Sequence, residues 1–188
     1  MNRFVKKCWY LKTQTVYKSK FNSIGKRTLI LKPVQLDSVG SVLLSDDVYV
    51  AEGAWIMGGS SSEITLKIDK GTTIGHYSHI IATHSVTIEQ NVLIADKVFI
   101  SDCTHGYEDV TKPVISQQIK ALNPVVIGEG SWLGENVCVC GAKVGKHCVI
   151  GANSVVTTDI PDYCVAVGSP ARIVKKYGFE KNEWFKVK

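Results

Sequence analysis

His105 stands where a regular pattern in the chain breaks off, at the end of the segment SDCTH, with Asp102 three residues before it and Glu108 three residues after. Imidazole is the side chain whose charge changes near neutral pH, so a histidine here can take up a proton and return it during a reaction. A carboxylate beside it would hold the ring in one orientation and stabilise the imidazolium. Both acids are within reach along the chain, and spacing does not choose between them. Earlier in the sequence, the segment HYSH places His76, Tyr77 and His79 close together as a second group of polar rings.

The pattern that ends at His105 has a period of six. Ile88, Ile94 and Ile100 open three successive units of six residues, and the same spacing recurs at Ile24, Ile30 and Leu36, at Leu44, Val50 and Ile56, and at Ile68, Ile74 and Ile80. After a gap it returns at Ile127, Leu133 and Val139, then at Val144, Ile150 and Val156. The second residue of many units is small or acidic, as in Gly25, Gly75, Gly128 and Gly151; the fifth is small or β-branched, as in Thr28, Thr72, Ser131 and Ser154. A helix repeats every 3.6 residues and a half-buried strand every two, so neither gives a strict six. A coil of three short flat strands joined by sharp corners does, with the aliphatic residue pointing inward and the small residue allowing the turn. Stacked coils pair backbones at about 4.8 Å and leave an interior filled by Ile, Val and Leu. The sequence predicts one parallel β solenoid of about six coils.

The remaining chain decorates that solenoid. Composition, at 45% hydrophobic and 21% charged over 188 residues, suits one core. Residues 1–36 hold nine of the 22 Lys and Arg and none of the 17 acids. Within this basic arm Phe4, Val5, Cys8 and Trp9 recur at helical spacing, predicting a helix within residues 1–21 that packs on the body or on a neighbouring subunit, or lies on a membrane surface. No apolar run reaches the roughly 20 residues of a membrane span, so the expectation is a soluble protein of the cytoplasm or of the membrane's inner face, with no nucleic-acid partner. The six cysteines form no CxxC pair and read as small buried hydrophobes in a reducing compartment. The largest break in the period, residues 106–124, is polar, holds Pro113 and Pro124, and is expected to project as a long loop of the kind that builds sites on rigid repeats.

The hexads, the SDCTHGYED segment, the block IGEGSWLGENVCV and the closing IGANSVVTTDIPDYCVAVGSPARIV resemble the left-handed parallel β-helix acyltransferases. Among these the chain is most similar to the O-acetyltransferases that include galactoside and maltose acetyltransferases and enzymes acting on lipopolysaccharide and capsule sugars. The resemblance covers residues 22–176, leaving residues 177–188 as a C-terminal tail. It implies a left-handed coil, a homotrimer, and acetyl-CoA lying in the groove between two subunits near the last coils. His105 matches the family's catalytic histidine, the base that deprotonates an attacking hydroxyl. Glu135 falls where a backbone amide would meet the oxyanion, and Trp132 at a position beside the active site. Ala152, Thr157 and Thr158 fall near the pantetheine arm. Arg172 and Lys175 match positions that meet the nucleotide phosphates, where positive charge is needed. Thr158 departs from the lysine usual in galactoside-type enzymes. HYSH departs from an asparagine that holds the acceptor hydroxyl, which makes His76, Tyr77 and His79 the acceptor-binding candidates.

Three other readings compete with acetyl transfer to a sugar hydroxyl. One is N-acetylation of an amino sugar. Another is a γ-type carbonic anhydrase, which shares the fold and binds zinc through three histidines between subunits; His76, His79, His84 and His105 would be its ligands. The last is a scaffold without activity, which would need neither His105 nor the CoA residues. The long loop, Trp132 and SDCTH favour an acetyl-CoA-dependent enzyme with no bound metal.

Overall fold

The structure, a computed structural model, describes residues 3–187. The described residues open with helix α1 (Arg3–Lys12), which continues into a wider helical turn over Thr13–Tyr17 and then enters the solenoid. Three parallel faces follow in rotation. The first carries Ser23–Ile24, Val42–Leu44, Leu66–Ile68, Val86–Ile88, Val125–Ile127 and Lys143–Val144. The second carries Leu29–Ile30, Tyr49–Val50, Thr73–Ile74, Leu93–Ile94, Trp132–Leu133 and Val149–Ile150; the third carries Gln35–Asp37, Trp55–Met57, His79–Ile81, Phe99–Ser101, Cys138–Cys140 and Val155–Val156. Each hexad opener lies in the strand its triplet implies. A seventh, partial coil adds Ile160, bridged to Val144, and the strand Cys164–Val167 on the second face. The second face then continues antiparallel through Arg172–Gly178 and Glu183–Lys186.

The interior is built by the openers themselves. Ile30, Leu44, Ile56, Ile68, Ile74, Ile80, Ile88, Ile94, Ile100, Ile127 and Leu133 are all fully buried. Leu36, the last opener of the first coil, is half-buried. The open end below it is closed by the N-terminal segment, where Gln14 donates to the carbonyls of Gly25 and Thr28 and the Thr13 hydroxyl accepts from the Ile30 amide. Helix α1 has no buried residue, although Trp9 packs partly on the core and the Lys6 ammonium lies 5.8 Å from the centre of the Tyr49 ring. Among the described residues, no helix is long and apolar enough to cross a membrane.

The corners show why the second and fifth unit positions are restricted. A Cβ on Gly75 would come within 2.4 Å of the backbone of Ala95 on the next coil, so only glycine allows that stacking. At the fifth position the hydroxyls of Thr28, Thr72, Ser78 and Ser131, all within 1% of full burial, each reach a carbonyl of the next coil and accept from one of its amides. These hydroxyls satisfy backbone groups that the tight corner leaves without ladder partners. Thr72→Val, which keeps the shape and removes the hydroxyl, strands the Val92 amide and Glu89 carbonyl. It is expected to lower unfolding free energy by about 1–3 kcal/mol in urea denaturation, with the m-value unchanged.

Candidate active site

The segment after Phe99–Ser101 leaves the solenoid at the corner between the third and first faces and returns to it at Val125. It is more ordered than a loop. Cys103–His105 pairs antiparallel with Ile119–Ala121, with Cys103 opposite Ala121 and His105 opposite Ile119, and a short helical turn over Val114–Ser116 forms its tip. Gly106 donates to the Gln118 carbonyl at 2.9 Å and extends the pairing past His105. The arm is thin and wet, with Val110 94% and Ile115 91% exposed. His105 therefore sits on the first strand of a projecting two-stranded arm, with its side chain exposed.

Asp102 forms the foot of this arm and is fully buried. Its carboxylate accepts from the backbone amides of Thr83, His84 and Ser85 at 2.8, 2.7 and 2.6 Å and from the Thr83 hydroxyl at 3.0 Å. Its carbonyl accepts from the Leu122 amide at 2.7 Å, which ties in the arm's second foot. Glu108 lies in the exposed part, in an ion pair with Lys120, and accepts from the Tyr107 amide at 2.9 Å. Among the described residues, neither carboxylate is hydrogen-bonded to the His105 imidazole. The hydrogen bond from Lys120, followed by that from the Tyr107 amide, holds the Glu108 carboxyl well below its ordinary value, at about 2. A carboxyl-detected NMR titration should give a midpoint near 2 that rises in Lys120→Ala; a wild-type midpoint near the ordinary 4.5 would contradict the pairing.

The other candidates fall at three places. Thr157 and Thr158 are exposed on the same third-to-first corner as the arm, two coils further on. His76, Tyr77, Glu135 and Ala152 line the opposite corner, between the second and third faces, where all four are exposed. There His76 Nδ1 lies 3.1 Å from Asp96, whose carboxylate also accepts from the His76 amide at 2.7 Å, and Glu135 pairs with Lys97 at 2.9 Å. Tyr77 takes a positive φ of 56°, and its ring occupies the space a Cβ on Gly53 would fill. Trp132, 47% exposed, lies on the second face, as does the strand bearing Arg172 and Lys175. His79 is half-buried on the third face with its ring edge-on to Trp55, at 5.4 Å between centroids. One chain thus holds His105 at one edge of the third face and the Trp132–Glu135–Ala152 group beyond the other edge. It brings each group together locally without bringing the two groups to each other.

The histidines considered as zinc ligands are likewise apart: His76 is paired with Asp96, His79 with Trp55, and His84 Nδ1 with the Thr83 hydroxyl at 2.7 Å. Among the described residues, no three His, Cys, Asp or Glu side chains are gathered to hold a metal ion. The cysteines divide into classes. Cys148 and Cys164 are buried as expected, but Cys8 is exposed and Cys103, Cys138 and Cys140 are half-buried. Cys138 and Cys140 flank the inward Val139, so strand alternation turns both of them outward.

Comparison with known proteins agrees with this architecture. Residues 124–158 match the family described as hexapeptide repeat of succinyl-transferase. A protein of Escherichia coli strain K12 named for lipopolysaccharide biosynthesis O-acetyl transfer is 44% identical over 120 residues, covering 60% of this chain and 61% of that protein. The galactoside O-acetyltransferase of the same strain is 35% identical over 109 residues, covering 57% and 52%. The chain thus spans between about half and three-fifths of the length of these relatives. Among solved structures, an N-acyltransferase from Bacillus cereus, crystallised with dTDP-4-amino-4,6-dideoxyglucose and coenzyme A, superposes with a TM-score of 0.74 at 18% identity, covering 90% of this chain and 91% of that one. A maltose O-acetyltransferase from Clostridium difficile does so with a TM-score of 0.58 at 23% identity, covering 93% and 83%. The fold is that of the hexapeptide-repeat acyltransferases.

Proposed function

We propose that this chain, a hexapeptide-repeat protein by sequence and by fold, transfers an acetyl group from acetyl-CoA to a sugar hydroxyl in the synthesis of a cell-surface polysaccharide. The observation that carries the proposal is the placement of His105, exposed on a braced arm, in a chain 44% identical over 120 residues to a protein named for O-acetyl transfer. The chemistry follows from the side chain. A sugar hydroxyl is a poor nucleophile until its proton is removed, and a neutral imidazole held in the open can accept that proton as the oxygen attacks the thioester carbon. The C–O bond forms first and gives a tetrahedral oxyanion; as its C=O re-forms the C–S bond breaks, and the proton on His105 passes to the departing thiolate. Backbone amides near Glu135 would meet the oxyanion, while Arg172 and Lys175, both exposed on the next-to-last strand of the second face, offer charge to the nucleotide phosphates.

The separation of the two residue groups across the third face supports a trimer, in which the arm of one copy meets the Trp132 and Glu135 side of the next. Multi-angle light scattering should give three chains per particle; a monomer that remains fully active would remove this part of the reading.

The direct test is release of free thiol from acetyl-CoA in the presence of a panel of mono- and oligosaccharides, with the product examined by mass spectrometry. The reading requires an acetylated sugar whose acetyl group is lost in mild base, as an ester is. A base-stable acetyl on an amino sugar would shift the assignment to N-acetylation; the Bacillus cereus protein of the same fold is an N-acyltransferase.

A further inference from the structure

We propose that Cys138 and Cys140 form a dithiol modification site, closed by a peroxide to an intrachain disulfide that deforms the strand beneath the arm carrying His105. The two residues share the strand Cys138–Cys140, point outward on either side of the fully buried Val139, and hold their sulfurs 3.5 Å apart. Both are half-buried, which leaves room for a small oxidant. Two residues along an extended strand span about 6.6–6.8 Å between Cα atoms. A disulfide accepts Cα separations up to about 6.8 Å. The bond can therefore form in place, but at the long end of its range, so the strand is drawn together as it closes. A bridge made under such strain is of the labile, reversible kind rather than a structural staple.

The chemistry of the pair points the same way. The two sulfurs share a weak hydrogen bond that, against the effect of burial, lowers the Cys138 thiol to about 7, and the same bond pushes Cys140 up. Cys138 is thus the nucleophile near neutrality. Its thiolate attacks one oxygen of hydrogen peroxide, the O–O bond breaks, and the departing hydroxide leaves as water with a proton from the medium, giving a sulfenic acid. The Cys140 sulfur then attacks that sulfur, giving up its proton to the departing hydroxyl, which leaves as a second water. Two thiols have lost two electrons and two hydrogens, and the peroxide has been reduced to water.

The strand is joined to the arm at both feet. Cys140 lies in register with Ser101, and the Gly141 amide donates to the Ser101 carbonyl at 3.0 Å. Gly141 faces Leu122 so closely that a Cβ would lie 2.7 Å from the leucine Cβ, and the Leu122 amide is bonded to Asp102. Shortening between Cys138 and Cys140 therefore acts directly on the feet from which His105 is held. A third thiol, Cys103, lies 3.5 Å from the Ser101 hydroxyl on the arm's first strand and is the competing partner for Cys140.

The test is peptide mapping under non-reducing conditions after exposure to hydrogen peroxide, in a Cys8→Ser background that removes the exposed thiol. The expected result is loss of two free thiols and a Cys138–Cys140 linkage, reversed by dithiothreitol, absent in Cys138→Ser and Cys140→Ser, and retained in Cys103→Ser. A Cys103–Cys140 linkage, oxidation of one cysteine to sulfinic acid without any linkage, or survival of both thiols would each overturn the proposal. The effect on acetyl transfer rests on the proposed activity and is read separately. Turnover should fall with peroxide and recover with reductant in the wild type, and stay constant in Cys140→Ser; the map stands whatever the activity proves to be.

Discussion

His105→Ala should lower kcat on a competent acceptor by about 10²–10⁴-fold, the range a positioned general base contributes, and leave affinity for CoA unchanged. The structure makes this loss separable from any loss of folding. The backbone around His105 is held by its own pairing, Cys103 with Ala121, Thr104 with Lys120, His105 with Ile119, and by the Gly106 amide. The imidazole is exposed and fills no cavity, so its removal should change stability by no more than about 0.5 kcal/mol, as for other surface sites. Steady-state kinetics with thiol detection, paired with thermal unfolding of the same variant, reads both quantities. Near-normal turnover in a folded variant would remove His105 from the mechanism.

Asp102→Ala should behave in the opposite way, as a folding defect first. The carboxylate is fully buried and satisfies three backbone amides and one hydroxyl of the corner at residues 83–85. Buried donors left without a partner are worth about 1–3 kcal/mol each. The variant is therefore expected to lose about 3 kcal/mol or more in chemical denaturation, a large share of the stability of a domain of this size. Asp102→Asn retains the shape and one acceptor oxygen, and should recover part of the loss. If Asp102 instead acted on the imidazole, Asp102→Asn would keep full stability and lose turnover. The two readings are separated by which quantity moves.

These residues also mark how far the sequence carries. The coils were legible one by one because Ile, Leu and Val at every sixth position can be buried together only in a prism of flat strands, and each triplet falls in the coil its spacing implies. The seventh coil was less visible. Ile160 and Ala166 keep the spacing of six, but alanine is too small to mark an opener, and Pro161 interrupts the unit between them. The arm was readable as a break and not as strands, because its pairing joins residues such as Cys103 and Ala121 through a polar sequence with no period. His105 stood out as a histidine at the edge of the repeat. Asp102 stood out for the same proximity, yet its partners are backbone amides on the preceding coil, and no side-chain pattern announces a backbone donor. The half-buried thiols were obscured by composition: cysteine is usually a buried residue, and only the alternation about Val139 turns Cys138 and Cys140 outward.

The same logic explains why one chain leaves its candidate residues divided. The period fixes which face or corner each residue occupies, so His105 and Trp132 are held on different sides of the third face by the fold itself, whatever their chemistry. A site assembled from both requires a second copy, and repeats of this kind offer flat, rigid faces for such contact.

The central claim, that the solenoid binds acetyl-CoA as its acetyl donor, is tested most directly by isothermal titration of CoA into the wild-type protein, because this measurement needs no knowledge of the acceptor. The account expects saturable binding with one CoA per chain, weakened when Arg172 and Lys175 are both replaced by alanine. Absence of any binding by the folded wild-type protein would contradict it.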